Sequence, residues 1–454
     1  MADDRDSLRT GRVRRTAEVG RAVGAAGIKG ARGNHQEAAE RMVRTLGQLK
    51  GGAAKIAQLA SFIDTDFIPD EYRAIYQEEL GKLRTNVPAM PFAEVRHVLD
   101  EAWDEPVAEI FDSFDEEAAA AASIGQVHRA VLDGKPVAVK IQYPGMARAL
   151  AADMSNAALI MRLAKALAPG LDAKSVAAEL RERVLEELDY EIEAANQRTF
   201  ARAYRGHPFI VVPEVVTALS TERVLVSEWI DGIGFDEVKR LPQPEKDRFG
   251  EIIFRFCFGS VYHLQHFNAD AHPGNYLLMA DGRVAFLDFG MTKRLETEQI
   301  ELEIAAIEAA VENDPRAVRD ALADIGYIKR PDRIDAEKLM RHVKAVGGWY
   351  LEDREVTIDS ATVMTAVEAM TDPRSEFYDL VRQQSLPADE LMGQRMQTGV
   401  LAVLGHLNAT RNWMRIAKEW WFAAEPATEL GVAEWDYFKA KGEKRERKFA
   451  LRRP

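Results

Sequence analysis

HLQHFNADAHPGNYLLMADGRVAFLDFG, residues His263–Gly290, decides how the rest of this chain is read. The stretch closes an apolar helix, crosses a polar loop holding Asp270 and Asn275, and then reads as two short strands, Tyr276–Met279 and Arg283–Asp288. Ala280-Asp281-Gly282 between them is a hairpin turn signal. A hairpin brings Asp288 back beside Asn275, so Asp270, Asn275 and Asp288 meet at one end of a small sheet. Two carboxylates and an amide oxygen suit a hard divalent ion such as Mg2+ that is shared with phosphate oxygens.

The spacing resembles that of protein-kinase-like enzymes: an Asp, an Asn five residues later, and Asp-Phe-Gly after a hairpin. Upstream, Val127–Leu132 and Pro136–Ile141 flank Asp133-Gly134 and predict another hairpin. It ends on Val-Ala-Val-Lys with Lys140, the pattern of a strand lysine turned to nucleotide phosphates. Ala118–Gly125 precedes it, where a kinase carries its glycine-rich loop. Helices are expected over 35–63, 69–83, 91–103, 146–167 and 173–205, the last with Asp189 and Glu193 on one face. Strands are expected over 211–216 and 224–229, with Glu228 at a hinge. Beyond Glu296 the pattern is helical, with Trp349, Trp413, Trp420 and Trp421 as packing anchors.

A net charge of -13 argues against general nucleic-acid binding. The charge is uneven, however. From Arg9 to Gly33, Arg9, Arg12, Arg14, Arg15, Arg21, Lys29 and Arg32 stand against only Glu18, and KAKGEKRERKFALRRP ends the chain. Both stretches read as solvated tails or as an anchor to an anionic membrane, at about 1 kcal/mol per basic residue near lipid. The single cysteine, Cys257, lies in the apolar run FRFCFGSVYHL and reads as a core residue in a reducing compartment. The polar, Arg-rich start does not resemble a signal peptide. No run reaches the roughly 18 apolar residues that span a bilayer. A cytoplasmic location follows as the expectation, with at most peripheral contact on the inner membrane face.

These motifs together resemble the ABC1/UbiB/ADCK (AarF) family of atypical kinases. The resemblance is carried by Ala120-Ala121-Ala122-Ser123-Ile124-Gly125-Gln126-Val127-His128, Val139-Lys140-Ile141-Gln142-Tyr143-Pro144-Gly145, Glu187-Leu188-Asp189-Tyr190, Asp270-Ala271-His272-Pro273-Gly274-Asn275 and Asp288-Phe289-Gly290. It implies an α+β, protein-kinase-like bilobal fold with a small β-containing N-lobe, a mostly helical C-lobe and an N-terminal helical extension. The implied division is a basic segment at 1–34, the extension at 35–112, the N-lobe at 113–230 and the C-lobe with its basic tail at 231–454.

The resemblance further implies binding of ATP or ADP with Mg2+. Ala120, Ala121, Ala122, Ser123, Gly125, Lys140 and Glu228 would contact nucleotide, and Asn275 and Asp288 would hold the metal. Asp270 would be the catalytic carboxylate, and Lys140 would pair with Glu193. Lys55 and Gln58 would form the polar pair of the extension, with Glu187 and Asp189 as acidic partners. Ala57 and Ala271 stand where the family has Gly and Pro, and Asn268-Ala269 stands where protein kinases have His-Arg.

Met291–Arg294 leads within a few residues into the next helix, with no Ala-Pro-Glu, so the shelf for a peptide substrate is missing. An ATPase or phosphotransferase acting on a small molecule fits better than a protein kinase. A supporting role in isoprenoid quinone biosynthesis or lipid homeostasis is what the family implies. Two alternatives stand beside it: a nucleotide-gated scaffold binding an isoprenoid lipid, quinone precursor or partner, and an aminoglycoside- or choline-type phosphotransferase. A Walker-type NTPase is excluded, because G-x-x-x-x-G-K-[ST] does not occur.

Overall fold

The computed structural model describes residues 90–122, 124–145, 186, 188–372, 374–384 and 390–449. Lys55, Gln58, Ser123 and Glu187 lie outside the described residues, as do the first basic stretch and the helices expected over 35–63, 69–83 and 146–167. The principal helices are α1 (Phe92–Ala102), α2 (Tyr190–Tyr204), α3 (Gln243–Leu264), α4 (Thr297–Val311), α5 (Pro315–Ile325), α6 (Ala336–Leu351), α7 (Ser360–Thr371), α8 (Leu391–Leu407), α9 (Trp413–Trp421) and α10 (Glu429–Ala440). The strands are β1 (Ser113–Phe114), β2 (Ala120–Ala121), β3 (Gly125–Leu132), β4 (Lys135–Gln142), β5 (Ile210–Val211), β6 (Val224–Glu228), β7 (His266–Asn268), β8 (Tyr276–Leu278), β9 (Val284–Phe286), β10 (Thr292–Arg294), β11 (Val356–Thr357) and β12 (Thr410–Arg411). The chain divides into two compact units.

The first unit holds an antiparallel sheet in the order β1-β3-β4-β6, with β2 paired to β3. The β3–β4 hairpin turns at Asp133 and Gly134, both at positive φ (50° and 72°). Only the mirror-image turn matches strand twist across a two-residue loop, and Asp-Gly tolerates it. Along β4, Val137, Val139 and Ile141 alternate into the core. Helix α1 buries Val95, Val98 and Leu99 at helical spacing.

The second unit is organised around α3. From Phe249 to Tyr262 every residue of α3 is buried, so this helix is the axis of the core rather than an amphipathic surface element. Cys257 lies within it, and burial pushes its thiol up to about 12, so it is an inert core residue as expected. Trp349, Trp413, Trp420 and Trp421 are buried, and the first three surround Phe254 of α3. A three-stranded sheet in the order β5-β9-β8 and a β7–β10 ladder carry the central motif.

Four expectations are corrected. The strand expected over 211–216 shrinks to Ile210–Val211, since Pro213 has no N–H for a ladder. Asp189 lies in non-helical backbone just before α2, so it does not share a helical face with Glu193. The part after Glu296 is not wholly helical, because β11 and β12 pair antiparallel. Nor is the last basic stretch a loose tail up to Phe449, whose ring is buried and lies 6.4 Å from that of Tyr262. There Arg447 pairs with Glu308, Arg445 with Glu425 and Lys448 with Glu443, while Lys441 donates to the Ala203 carbonyl.

Three buried histidines of this unit are held neutral. Burial pulls His207 down to about 2, helped by the charges of His263, Lys441 and Arg255. Burial likewise holds His266 and His342 at about 4. The unfolded chain binds these protons near pH 6.5 and the folded chain does not, so stability is full above about pH 6.5 and falls as pH drops towards 4. Each histidine removes roughly 1.4 kcal/mol per pH unit in that window. Urea midpoints measured from pH 7.5 to 4.5 should fall steadily below pH 6.5. A flat midpoint across the window would contradict the buried neutral state.

Candidate active site

The site grows from the end of α3. Gln265 caps that helix in the left-handed conformation (φ 51°), and the chain enters β7 at once. Strand β10 pairs with β7 in the register Thr292↔Asn268, Lys293↔Phe267, Arg294↔His266. The chain after Asp-Phe-Gly is therefore stitched back onto the strand before Asp270, and α4 begins at Thr297. No long loop intervenes, as the sequence implied. Strands β8 and β9 form the expected hairpin, in the register Tyr276↔Phe286 to Leu278↔Val284.

The three polar residues gather as predicted. Asn275 Nδ2 donates to Asp270 Oδ2 at 2.8 Å, and Leu287 N donates to the Asn275 carbonyl at 3.1 Å. That second bond sets Asp288 beside the loop. Asp288 Oδ1 accepts from Gly290 N at 2.9 Å, which fixes the carboxylate over its own turn. Because the Asn275 amide nitrogen is committed to Asp270, its oxygen is the atom left to face a cation. Asn275 Oδ1 and the Asp288 carboxylate are hard oxygen donors, and as a partial cage they fit Mg2+ completed by phosphate oxygens.

Asn268, read in the sequence only as a departure from His-Arg, ties the two halves of the site together. Its Oδ1 accepts from Asp270 N at 2.8 Å, and its Nδ2 donates to the Asp288 carbonyl at 2.5 Å. Arg395 of α8 also reaches the site: Nε donates to the Ala269 carbonyl at 3.0 Å, and Nη2 forms an ion pair with Asp270 Oδ1. Nothing local in the sequence marks Arg395. Asn268 carried one available signal, a polar residue two positions before Asp270.

Phe289 is fully buried, with its ring 5.0 Å from that of Phe200 on α2, and its carbonyl accepts from Asn196 Nδ2 at 3.3 Å. Glu193 lies buried in the first turn of the same helix. Glu228 ends β6 exposed. Its N–H donates to the Glu214 carbonyl at 2.9 Å, and its Oε2 accepts from Glu214 N at 3.0 Å.

In the first unit, Lys140 is half-buried on β4, opposite Val127. Ala120 and Ala121 pair with Val127 and Gln126 as strand β2. Ala122 N closes the turn onto the Gly125 carbonyl at 2.8 Å. Gln126, one residue past that turn, is buried and holds the backbone of Met90 from both sides. Met90 N donates to its Oε1 at 2.6 Å, and its Nε2 donates to the Met90 carbonyl at 3.2 Å. The same Nε2 lies 2.9 Å from His128 Nε2, whose other nitrogen bonds the Asp115 carbonyl at 2.8 Å. Burial lowers the His128 pKa against that carbonyl bond, so the ring is neutral with its proton on Nδ1. The chain arriving from the N-terminal side is thus tied to the strand that leaves the alanine-rich loop.

The family model for the ABC1 atypical kinase-like domain matches residues 82–322, more than half of the chain. The chain belongs to the ABC1 family. It is 33% identical over 296 residues to the mitochondrial atypical kinase COQ8B of Rattus norvegicus, covering 64% of this chain and 54% of that protein. It is 26% identical over 389 residues to the mitochondrial atypical kinase coq-8 of Caenorhabditis elegans, covering 82% and 51%. The chain thus spans about half the length of these curated relatives. Among solved structures, the complex of Rv3197 with erythromycin from Mycobacterium tuberculosis superposes with a TM-score of 0.62 at 32% identity. That match covers 86% of this chain and 97% of the other. An α+β, protein-kinase-like fold of the ABC1 type is therefore the fold of this chain. Among its described residues no helix is long and apolar enough to cross a membrane.

Proposed function

We propose that this ABC1 protein binds Mg2+-ATP and either hydrolyses it or passes its terminal phosphoryl group to a small or lipid-like acceptor, in support of isoprenoid quinone or lipid metabolism. The observation that carries this is the gathering of Asp270, Asn275 and Asp288, in which Asn275 bonds Asp270 and Asn268 bonds the backbone of both aspartates. Mg2+ would neutralise charge on the phosphates when bound by Asn275 and Asp288. Asp270, held on both oxygens, would orient the acceptor hydroxyl or water and take its proton. Lys140 keeps the phosphate-contacting role that the family resemblance assigns to it. The direct passage from Phe289-Gly290 into β10 and α4 leaves no long segment to seat a peptide, which favours a small acceptor.

The named relatives support this reading, since two are atypical kinases. The test is Mg2+-dependent ATP hydrolysis by wild type and Asp270→Asn, with and without candidate prenylated phenols. Wild type should turn over slowly, and Asp270→Asn should lose about a hundredfold in kcat while still binding nucleotide. Equal rates in the two proteins would rule the assignment out.

The mycobacterial protein, nearly all of which this chain covers, is described with erythromycin. That supports a second reading, a nucleotide-gated binder of bulky amphiphilic molecules with little turnover. Erythromycin that stabilises the protein without changing hydrolysis would favour it. Contact of 441–448 with an anionic membrane would compete with the intramolecular partners of Lys441, Arg445, Arg447 and Lys448.

A further inference from the structure

We propose that Arg395 is the positioning residue of the catalytic loop, and that through it α8 does permanently what an ordered activation segment does elsewhere. The inference rests on the reading of Asp270 as the catalytic carboxylate. In His-Arg-Asp loops the arginine precedes the aspartate, and here that position is Ala269, which has no charge to offer.

The guanidinium comes instead from a helix 125 residues further on. It grips two successive residues of the loop: the Ala269 carbonyl, which accepts from Nε at 3.0 Å, and the Asp270 carboxylate, which pairs with Nη2. Both side chains of the ion pair are largely sheltered, at 8% and 17% exposure, so solvent screens the contact far less than a surface pair. Asp270 Oδ2 meanwhile accepts from Asn275, so the carboxylate plane is held from two sides.

One turn along α8, Gly399 meets the third residue of the loop. A Cβ there would lie 2.8 Å from the Cβ of Ala271, so the helix can sit this close only with glycine at 399. Residues four apart share a helical face, and Arg395 and Gly399 together present that face to Ala269-Asp270-Ala271. The start of α8 is secured in turn: Gln299 of α4 donates to the carboxylate of its capping residue Glu390 at 2.5 Å. Helix α4 is the first helix after Asp-Phe-Gly, reached through β10. Catalytic loop, α8 and α4 therefore form one braced unit. No added phosphate is needed to order the loop, and Ala269 has no means to read one.

The experiment uses the full chain as wild type, Arg395→Ala, Arg395→Lys and Asp270→Asn. It measures Mg2+-ATP hydrolysis, nucleotide binding and amide hydrogen exchange over 268–276. Arg395→Ala should lower kcat by about tenfold or more with KM for Mg2+-ATP little changed, the signature of lost positioning rather than lost binding. Millimolar methylguanidinium should restore part of that rate in Arg395→Ala and none in Asp270→Asn. Arg395→Lys, which keeps the charge but not the two-point fork, should fall between. Exchange over the loop should accelerate in Arg395→Ala while α3 stays protected. Wild-type kcat in Arg395→Ala would overturn the proposal, as would loss without guanidinium rescue alongside general unfolding. Should wild type itself fail to hydrolyse ATP, the function proposed above fails, and loop exchange decides the role of Arg395 alone: unchanged protection overturns it.

Discussion

Arg255→Leu should lower the stability of the second unit by about 3–5 kcal/mol, the usual cost of removing one partner from a buried ion pair. Arg255 is fully buried in the middle of α3. Its Nε donates to Glu251 at 2.9 Å, its Nη1 to Glu434 at 2.8 Å and Glu419 at 3.0 Å, and its Nη2 to Glu419 and Thr428 at 3.0 Å each. Arg411 reaches the far oxygen of Glu251 at 2.7 Å. Burial alone would raise the Glu251 pKa, yet the Arg255 charge and the bonds from Thr428 and Arg411 bring it below its usual value. Without Arg255, Glu419 and Glu434 lose the counter-charge that they share with Glu251, which keeps only Arg411, so buried negative charge must be relieved by protonation or partial unfolding. Leucine fills the stem volume, so the loss measures charge rather than a cavity. Urea unfolding followed by tryptophan fluorescence reports it directly, since Trp420 lies 5.9 Å from the guanidinium. A shift under about 1 kcal/mol would show that these elements hold together without the network.

Asp288→Ala should erase the stabilisation that Mg2+-ATP confers. At a hundredfold excess over Kd the wild-type gain is about 2.7 kcal/mol, or roughly 5–10 °C in Tm for a unit of this size. The variant should fold, because Asn268 holds residue 288 through its carbonyl and not its carboxylate. Asp288→Asn separates the two functions of the side chain. It keeps an oxygen for Gly290 N, now 2.9 Å from Asp288 Oδ1, but loses the charge that draws the cation. Apo stability should be near wild type in both variants, with the Mg2+-dependent part of the nucleotide shift lost in both. A full shift in Asp288→Ala would place the metal elsewhere.

Much of the site is legible in the order of the residues. The hairpins at Asp133-Gly134 and Asp281-Gly282 follow from turn chemistry, and each returns one motif residue to the neighbourhood of another. That is why Asp270, Asn275 and Asp288 are identifiable as one site. The buried run of α3 and the tryptophan anchors follow from apolar content and side-chain size. Other expectations fail for a physical reason. A basic stretch such as KAKGEKRERK looks unpaired in sequence, because Glu308 and Glu425 are remote from it along the chain. Asp189 appears to continue a helix because periodicity does not register a local break in the backbone.

Sequence alone determined the family and the kinase-like fold, through short motifs in fixed order from Ala120 to Gly290, and the chemical identity of the central trio, whose members lie between Asp270 and Asp288. Tertiary structure alone decided that Asn268 joins the two aspartate segments, that Arg395 arrives from α8 to hold Asp270, and that α3 carries a buried arginine answered by Glu419 and Glu434. Local spacing specifies which residues share a turn or a face. Which helix then comes to lie against that face depends on the packing of the whole unit, where a neighbour 125 or 179 residues away in the chain is as close as the next turn.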